Sequence, residues 1–243
     1  MSDDAPRRPW LDPATRRWGL GEVALGLVAA QVLALVVGVA AMAVAGWKTF
    51  AEVPMWGQAV LQIPLWGGYL GAVVVAGNKG RGIVGDFGLA IRPVDLPLGV
   101  PLGVVVQLVV LPVIYVPILR LTDSTSEELS RPARELANKA QGPWGWIVLT
   151  LIVVVGAPIV EELFFRGLLL RSLQKRGLSD LWSCVVCAAL FAGIHMQLLQ
   201  FVGLFVAGLV FSVLAVRTGR LGPSICTHAG FNAASVVLLY LSR

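Results

Sequence analysis

The sequence predicts an all-α protein, a polytopic transmembrane helical bundle with about seven spanning helices. Of the 243 residues, 57% are hydrophobic and only 14% are charged, and the mean hydropathy of +0.80 lies far above that of soluble domains. Apolar runs close to the 20 or so residues that cross a hydrocarbon core recur along the chain. The net charge is +5, but the basic residues are scattered through short loops, so nucleic acid is not an expected partner.

The spanning helices are predicted near residues 19–46, 53–77, 96–119, 144–170, 181–197, 198–216 and 221–241. The first run is far longer than the apolar core of a signal peptide, about 7–15 residues, so we expect it to remain as a helix. The third contains four prolines between residues 97 and 117, which predict a kink or a break.

The basic residues also predict an orientation in the membrane. With a cytoplasmic N-terminus, twelve Lys and Arg residues fall in the inner segments and six in the outer ones, as the positive-inside rule requires. We therefore expect a multi-pass protein of the cell membrane with its N-terminus in the cytoplasm.

The chain is expected to divide into four segments: a cytoplasmic segment 1–18, membrane helices 19–121, a polar loop or short surface helix 122–143, and further membrane helices 144–243. In the polar segment, Thr125 and Glu128 have the spacing of a capping box, which predicts the start of a short helix.

Two adjacent acidic residues, Glu161 and Glu162, lie in the middle of the fourth apolar run. A charged side chain at the bilayer centre costs roughly 2.5–3.5 kcal/mol, so these glutamates and Arg166 together could cost on the order of 8–10 kcal/mol. Glu162 and Arg166 are four residues apart and share a helix face, which predicts an ion pair that supports the site. Glu161 points about 100° away without a sequence-local cation, so it is the candidate general base.

The chain has two histidines, His195 and His228, and both lie in apolar runs. Phe191 precedes His195 by one helical turn, and Asn232 follows His228 by one turn, so each pair shares a face. We expect Glu161 and His195 to activate a water molecule. His228 and Asn232 are expected to hold the oxygen of the carbonyl group that the water attacks.

The same residues are compatible with other roles. A buried histidine or asparagine often makes only an interhelical hydrogen bond. A proton-coupled transporter, or a non-catalytic membrane scaffold, would also use buried glutamates and histidines. The sequence has no His-Glu-x-x-His segment, but zinc bound by Glu161, His195 and His228 remains an alternative, because catalytic zinc needs only three protein ligands.

Three motifs resemble the CPBP family of intramembrane glutamic endopeptidases, which includes the type II CAAX-prenyl proteases and bacteriocin-processing relatives. The Glu-Glu-x-x-x-Arg motif matches residues 161–166, the Phe-x-x-x-His motif matches 191–195, and the His-x-x-x-Asn motif matches 228–232, in the family's order.

The resemblance implies that the helices of residues 144–243 form the catalytic part of an endopeptidase. It implies that Glu161 and His195 activate water, that His228 and Asn232 form the oxyanion hole, and that no metal or other cofactor is needed. The implied partners are the lipid bilayer and a membrane-associated peptide or protein as substrate. No part of the sequence indicates recognition of a prenyl group, so we do not expect this protein to share the CAAX specificity of these proteases.

Overall fold

The computed structural model describes residues 9–11 and 17–242. Most of the predicted segment 1–18 lies outside these residues, as do Arg7, Arg8, Arg16 and Arg243, which contribute to the predicted orientation. The described chain is helical and contains no strand, which confirms the all-α prediction. The α-helices are α1 (Leu20–Ala45), α2 (Met55–Asn78), α3 (Gly82–Phe87), α4 (Asp95–Thr122), α5 (Ser126–Asn138), α6 (Gly142–Lys175), α7 (Asp180–Ile194), α8 (Phe201–Thr218) and α9 (Gly222–Leu241).

Six of the described helices, rather than the predicted seven, are long and apolar enough to cross a membrane: α1, α2, α4, α6, α8 and α9. The helix predicted over 181–197 is α7, which has 15 residues and therefore a length of about 22 Å, against a hydrocarbon core of about 30 Å. It ends earlier than predicted because Met196 has a positive φ of 51°, which an α-helix does not accommodate.

The helix ends gather on two opposite faces of the bundle. We call one the N-terminal face; it holds Trp18 and the loops 79–94, 176–179 and 219–221. There, the indole of Trp18 donates to Asp86 at 3.1 Å, and both terminal nitrogens of Arg220 bond to Asp95, at 2.7 and 2.9 Å. These contacts join loops that are far apart in the sequence.

The opposite face holds the loops 46–54, 123–141 and 195–200. The ammonium of Lys139 donates to three backbone carbonyls of the first loop at 3.0, 2.7 and 2.9 Å, and Gln200 donates to the carbonyl of Leu129 at 2.7 Å. The helix α7 starts beside Gln174, which donates to Asp180 at 2.8 Å on the N-terminal face, and it ends at the loop 195–200. The short helix therefore runs from one face to the other.

The four prolines do not break α4, which continues through a π-helical segment at Val106–Val110. Its first half packs closely on α9 because glycines lie at the contact. A Cβ atom at Gly103 would lie 2.0 Å from the Thr227 carbonyl oxygen and 2.5 Å from the Phe231 nitrogen, distances that only a glycine avoids. This contact fixes the position of α9 along its axis relative to α4.

The second half of α6 is the centre of the fold. All residues from 162 to 174 are buried, and Phe164, Phe165 and Leu168 belong to the largest apolar cluster. The ring of Phe164 packs against the ring of Tyr69 of α2, with ring centres 4.5 Å apart. The acidic pair therefore lies on a helix that other helices surround.

Candidate active site

The backbone of α6 departs from α-helical geometry on both sides of the acidic pair. Two π-helical segments, Leu151–Gly156 and Glu162–Leu169, flank a short α-helical stretch, and π-helical turns are frequent at functional sites. In the first segment the Ala157 N–H bonds to the Ile152 carbonyl. The next bond of this register would join Pro158 to Val153, but proline has no N–H, so the Val153 carbonyl lacks a helical donor.

Asn232 of α9 supplies the missing donor. Its side-chain Nδ2 donates to the Val153 carbonyl oxygen at 2.7 Å. This bond fastens α9 to α6 two helical turns before Glu161. The amide nitrogen carries two hydrogens, so one N–H remains after this bond is made.

The ion pair expected between Glu162 and Arg166 is present and fully buried. Nη1 of Arg166 lies 2.8 Å from Oε1 of Glu162, and both side chains have no exposed surface. The guanidinium also donates to the Gly208 carbonyl at 3.1 Å and to the Ser212 hydroxyl at 3.3 Å. The pair therefore links α6 to α8.

Aromatic rings enclose the guanidinium. The Cζ atom of Arg166 lies 4.5 Å from the ring centre of Phe191 and 5.3 Å from that of Phe211, which allows cation–π attraction to both rings. Phe211 also stacks on the imidazole of His228, with ring centres 4.6 Å apart and planes 18° apart. The charged groups are thus held in a cage of apolar surfaces.

His228 lies between the two glutamates. Its Nδ1 is 3.0 Å from Oε1 of Glu162, and its Nε2 is 3.7 Å from Oε2 of Glu161. Because the carboxylate paired with Arg166 can only accept, Nδ1 carries the hydrogen of this bond. The Nε2 atom therefore faces Glu161 across a gap that is too long for a direct hydrogen bond.

The two glutamates thus contact opposite nitrogens of one imidazole. The side chain of Glu162 is completely buried, whereas that of Glu161 is 15% exposed. The helical spacing predicts that the two acids differ, but it does not predict that Glu162 reaches His228. That contact joins four charged or titratable groups in one array, in the order Arg166, Glu162, His228 and Glu161.

The remaining predicted residues bond to backbone carbonyls beside this array. Nδ1 of His195 lies 2.7 Å from the Phe191 carbonyl oxygen, and the Phe191 ring contacts both imidazoles, with centres at 4.9 Å from His195 and 5.8 Å from His228. Within the described chain, no hydrogen bond or ion pair joins His195 to Glu161. We predicted from the sequence that Glu161 acts with His195, whereas the structure puts Oε2 of Glu161 3.7 Å from Nε2 of His228.

We did not predict from the sequence that α8 contributes to the site. Gly208, Ser212 and Phe211 all contact Arg166 or His228, and Ser212 has no exposed surface. A signal for this face exists, because Gly208 and Ser212 are small residues four apart in an apolar helix, a spacing that favours close helix packing.

The described residues offer no group of three His, Cys, Asp or Glu side chains arranged to hold a metal ion. Glu161 and His228 face each other, but His195 directs Nδ1 to a backbone carbonyl.

Comparison with known proteins gives two matches. Residues 143–234 match the model of a family described as type II CAAX prenyl endopeptidase Rce1-like. An uncharacterized 24.3 kDa protein of Escherichia coli is 32% identical over 99 residues, which cover 39% of this chain and 45% of that protein. The chain therefore aligns with less than half of that relative's length. No solved structure matches the chain.

The family match covers all three motifs and the array around His228. Together with the six long apolar helices, it identifies the chain as a membrane protein. The resemblance predicted from the motifs is therefore confirmed over residues 143–234, which match the Rce1-like family of type II CAAX prenyl endopeptidases.

Proposed function

We propose that this protein is an intramembrane endopeptidase that hydrolyses a peptide bond of a membrane-associated protein or peptide. The observation that carries the proposal is the position of His228 between the buried Glu162 and the partly exposed Glu161, inside the segment that matches an endopeptidase family. Burying polar groups in an apolar bundle costs free energy, so four such groups at one place favour a functional site.

In the proposed reaction, a water molecule binds beside Oε2 of Glu161, to one side of the 3.7 Å line that joins this atom to Nε2 of His228, within hydrogen-bond distance of both atoms. The carboxylate of Glu161 takes a proton from the water as the water oxygen bonds to the carbonyl carbon. The protonated Glu161 then gives this proton to the amide nitrogen while the carbon–nitrogen bond breaks. The products are a carboxylic acid and an amine, so no oxidant or reductant is needed.

The negative charge on the carbonyl oxygen needs hydrogen-bond donors. His228 already uses Nδ1–H for Glu162, so it acts as a donor at Nε2 in its protonated form, with Glu162 and Arg166 behind it. Asn232 has one N–H left after bonding to Val153. These two donors are the proposed oxyanion hole.

His195 is proposed to help hold the water. Because its Nδ1 donates to the Phe191 carbonyl, the neutral ring presents a lone pair at Nε2, which accepts a hydrogen bond. We place the protein in the cell membrane with the N-terminal face in the cytoplasm, as the distribution of basic residues favours.

The test is cleavage of a degenerate library of internally quenched apolar peptides by purified protein in detergent. Glu161→Gln keeps the shape of the side chain but removes the base, so the rate is expected to fall about 10²–10⁴-fold. The matched control is Glu135→Gln, which changes an exposed glutamate of α5 and should leave the rate unchanged.

Equal cleavage by the wild type and Glu161→Gln would remove Glu161 from the mechanism. The transporter alternative has its own readout in proteoliposomes. Proton flux that depends on Glu161, together with no cleavage of any library member, would contradict the endopeptidase proposal.

A further inference from the structure

Basic residues of the N-terminal face gather around Trp18. The ammonium of Lys175 donates to the Trp18 carbonyl at 2.6 Å and lies 3.6 Å from the centre of the Trp18 ring. Arg17 directly precedes Trp18 in the chain, Arg176 directly follows Lys175, and both arginines are exposed. We call the following five residues the Trp18 cluster: Arg17, Lys79, Arg81, Lys175 and Arg176.

Hydrogen bonds connect the other two members to the same tryptophan. The backbone N–H of Arg81 donates to Oδ2 of Asp86 at 2.7 Å, and the indole N–H of Trp18 donates to the same oxygen at 3.1 Å. Lys79 lies 2.6 Å from Oε1 of Glu22, and Oε2 of this carboxylate accepts from the backbone N–H of the residue after Trp18 at 2.7 Å. The cluster therefore joins the start of α1, the end of α2 and the end of α6.

The positive charge of the Trp18 cluster is only partly balanced. Three carboxylates lie beside its five cations: Glu22 and Asp86, and also Asp180, which accepts from Gln174, the neighbour of Lys175 in the chain. Residues 1–8 and 12–16 contain three aspartates and three arginines, so their side chains add no net charge. The Asp86 carboxylate is fully buried, so a ligand at the surface meets mainly the cations.

The cluster also lies at the level of the lipid headgroups. The spanning helices α1, α2 and α6 start or end beside it, at Leu20, Asn78 and Lys175, and the headgroup region of a bilayer lies just outside the ends of spanning helices. Val84 of the short helix α3 follows Arg81 by three residues and is 67% exposed. A phospholipid offers a phosphate to the cation and an acyl chain to the apolar side chain, whereas a free phosphate ion has no apolar part.

We propose that the Trp18 cluster binds the headgroup of an anionic phospholipid in the leaflet at the N-terminal face. A guanidinium group binds phosphate through two parallel N–H bonds, and each Lys or Arg near an anionic lipid surface adds to the attraction. A zwitterionic lipid fits less well, because its headgroup carries a cation beside the phosphate. The inference goes beyond the proposed peptidase function and does not depend on it.

The test measures lipid binding in detergent by fluorescence anisotropy, with probes that carry an NBD group on one acyl chain. One probe is phosphatidylglycerol, which is anionic, and the other is phosphatidylcholine with the same chains, which is zwitterionic. Arg17→Gln/Arg176→Gln removes two exposed cations of the cluster. The matched control is Arg92→Gln/Arg217→Gln, which removes two exposed cations of the same face, from the loop before α4 and from α8.

We expect the wild type to bind phosphatidylglycerol about tenfold or more tightly than phosphatidylcholine. Arg17→Gln/Arg176→Gln should weaken the binding of phosphatidylglycerol about tenfold or more, because each cation near the lipid surface contributes about fivefold. Its binding of phosphatidylcholine should not change, and the control variant should bind both probes like the wild type. Added NaCl should weaken the binding of phosphatidylglycerol to the wild type but not that of phosphatidylcholine, a measurement that needs no variant.

Equal affinities of the wild type for the two probes would overturn the proposal. Equal losses in the two double variants would also overturn it, because binding would then follow the total charge of the face rather than the cluster. Displacement of the probe by inorganic phosphate or by an acidic peptide, at the same concentration as unlabelled phosphatidylglycerol, would identify a general anion site and would contradict the lipid. Cleavage of the peptide library is measured separately, so a failure of the lipid site and a failure of the peptidase activity are distinguished.

Discussion

Replacing Arg166 by methionine tests the buried ion pair. Methionine keeps an unbranched apolar side chain but removes the charge, so the buried carboxylate of Glu162 loses Arg166 and keeps only the hydrogen bond from Nδ1 of His228. Breaking a buried pair in this way costs about 3–5 kcal/mol. The lost bonds to α8 add little, because the Ser212 hydroxyl donates to the Gly208 carbonyl at 2.8 Å and both groups stay paired. We therefore expect the free energy of unfolding to fall by about 3–5 kcal/mol.

The assay is unfolding by SDS in mixed micelles, followed by tryptophan fluorescence. The matched control is the double variant Glu162→Gln/Arg166→Met, which removes both charges. Replacing a whole buried pair by neutral groups is often nearly neutral for stability, so the double variant should recover most of the loss. The difference between the two variants isolates the cost of burying the Glu162 carboxylate without Arg166.

Two results would refute this reasoning. A loss of less than about 1 kcal/mol in the single variant would mean that the carboxylate is solvated or protonated without cost. If the loss in the double variant equals the sum of the losses in Arg166→Met and in Glu162→Gln alone, the two side chains contribute independently.

Two further predictions concern helix packing and the α6 backbone. Gly68→Ala would put a Cβ atom 2.3 Å from the backbone of α1 and should lower the free energy of unfolding by about 1–3 kcal/mol in the same assay. The control is Gly67→Ala, whose Cβ atom would meet nothing within 4 Å and should not destabilise the protein. Equal losses of stability in the two variants would contradict the close contact between α1 and α2. Asn232→Ala removes the only donor found for the Val153 carbonyl among the described residues. It should lower the free energy of unfolding by about 1–3 kcal/mol. An unchanged free energy of unfolding would mean that this hydrogen bond does not form.

The sequence predicts the helices well because the cost of burying polar backbone in lipid leaves few alternatives to a helix. The predicted spans near 19–46 and 221–241 correspond to α1 and α9 within a few residues. The helix α7 ends three residues before the predicted bound at residue 197, because its end depends on the backbone conformation of Met196. The composition of 181–197 is mainly apolar and does not predict that turn.

The candidate site is predictable only in part. The Glu162–Arg166 pair follows from a spacing of four residues on one helix, and the structure has it. The contact of His228 with Glu162 joins residues 66 positions apart, so it depends on how α6 and α9 are set against each other. That setting depends on tight packing at Gly103 and on the bond from Asn232 to α6.

By itself, the sequence determines that this protein is a helical membrane bundle with two unlike glutamates on one spanning helix, because hydropathy and helical spacing act over short distances along the chain. The tertiary structure alone decides which imidazole stands between the glutamates and that His195 and Asn232 bond to backbone carbonyls. These features depend on distances between helices, which are set by glycine contacts, a missing proline N–H and aromatic packing rather than by any local pattern.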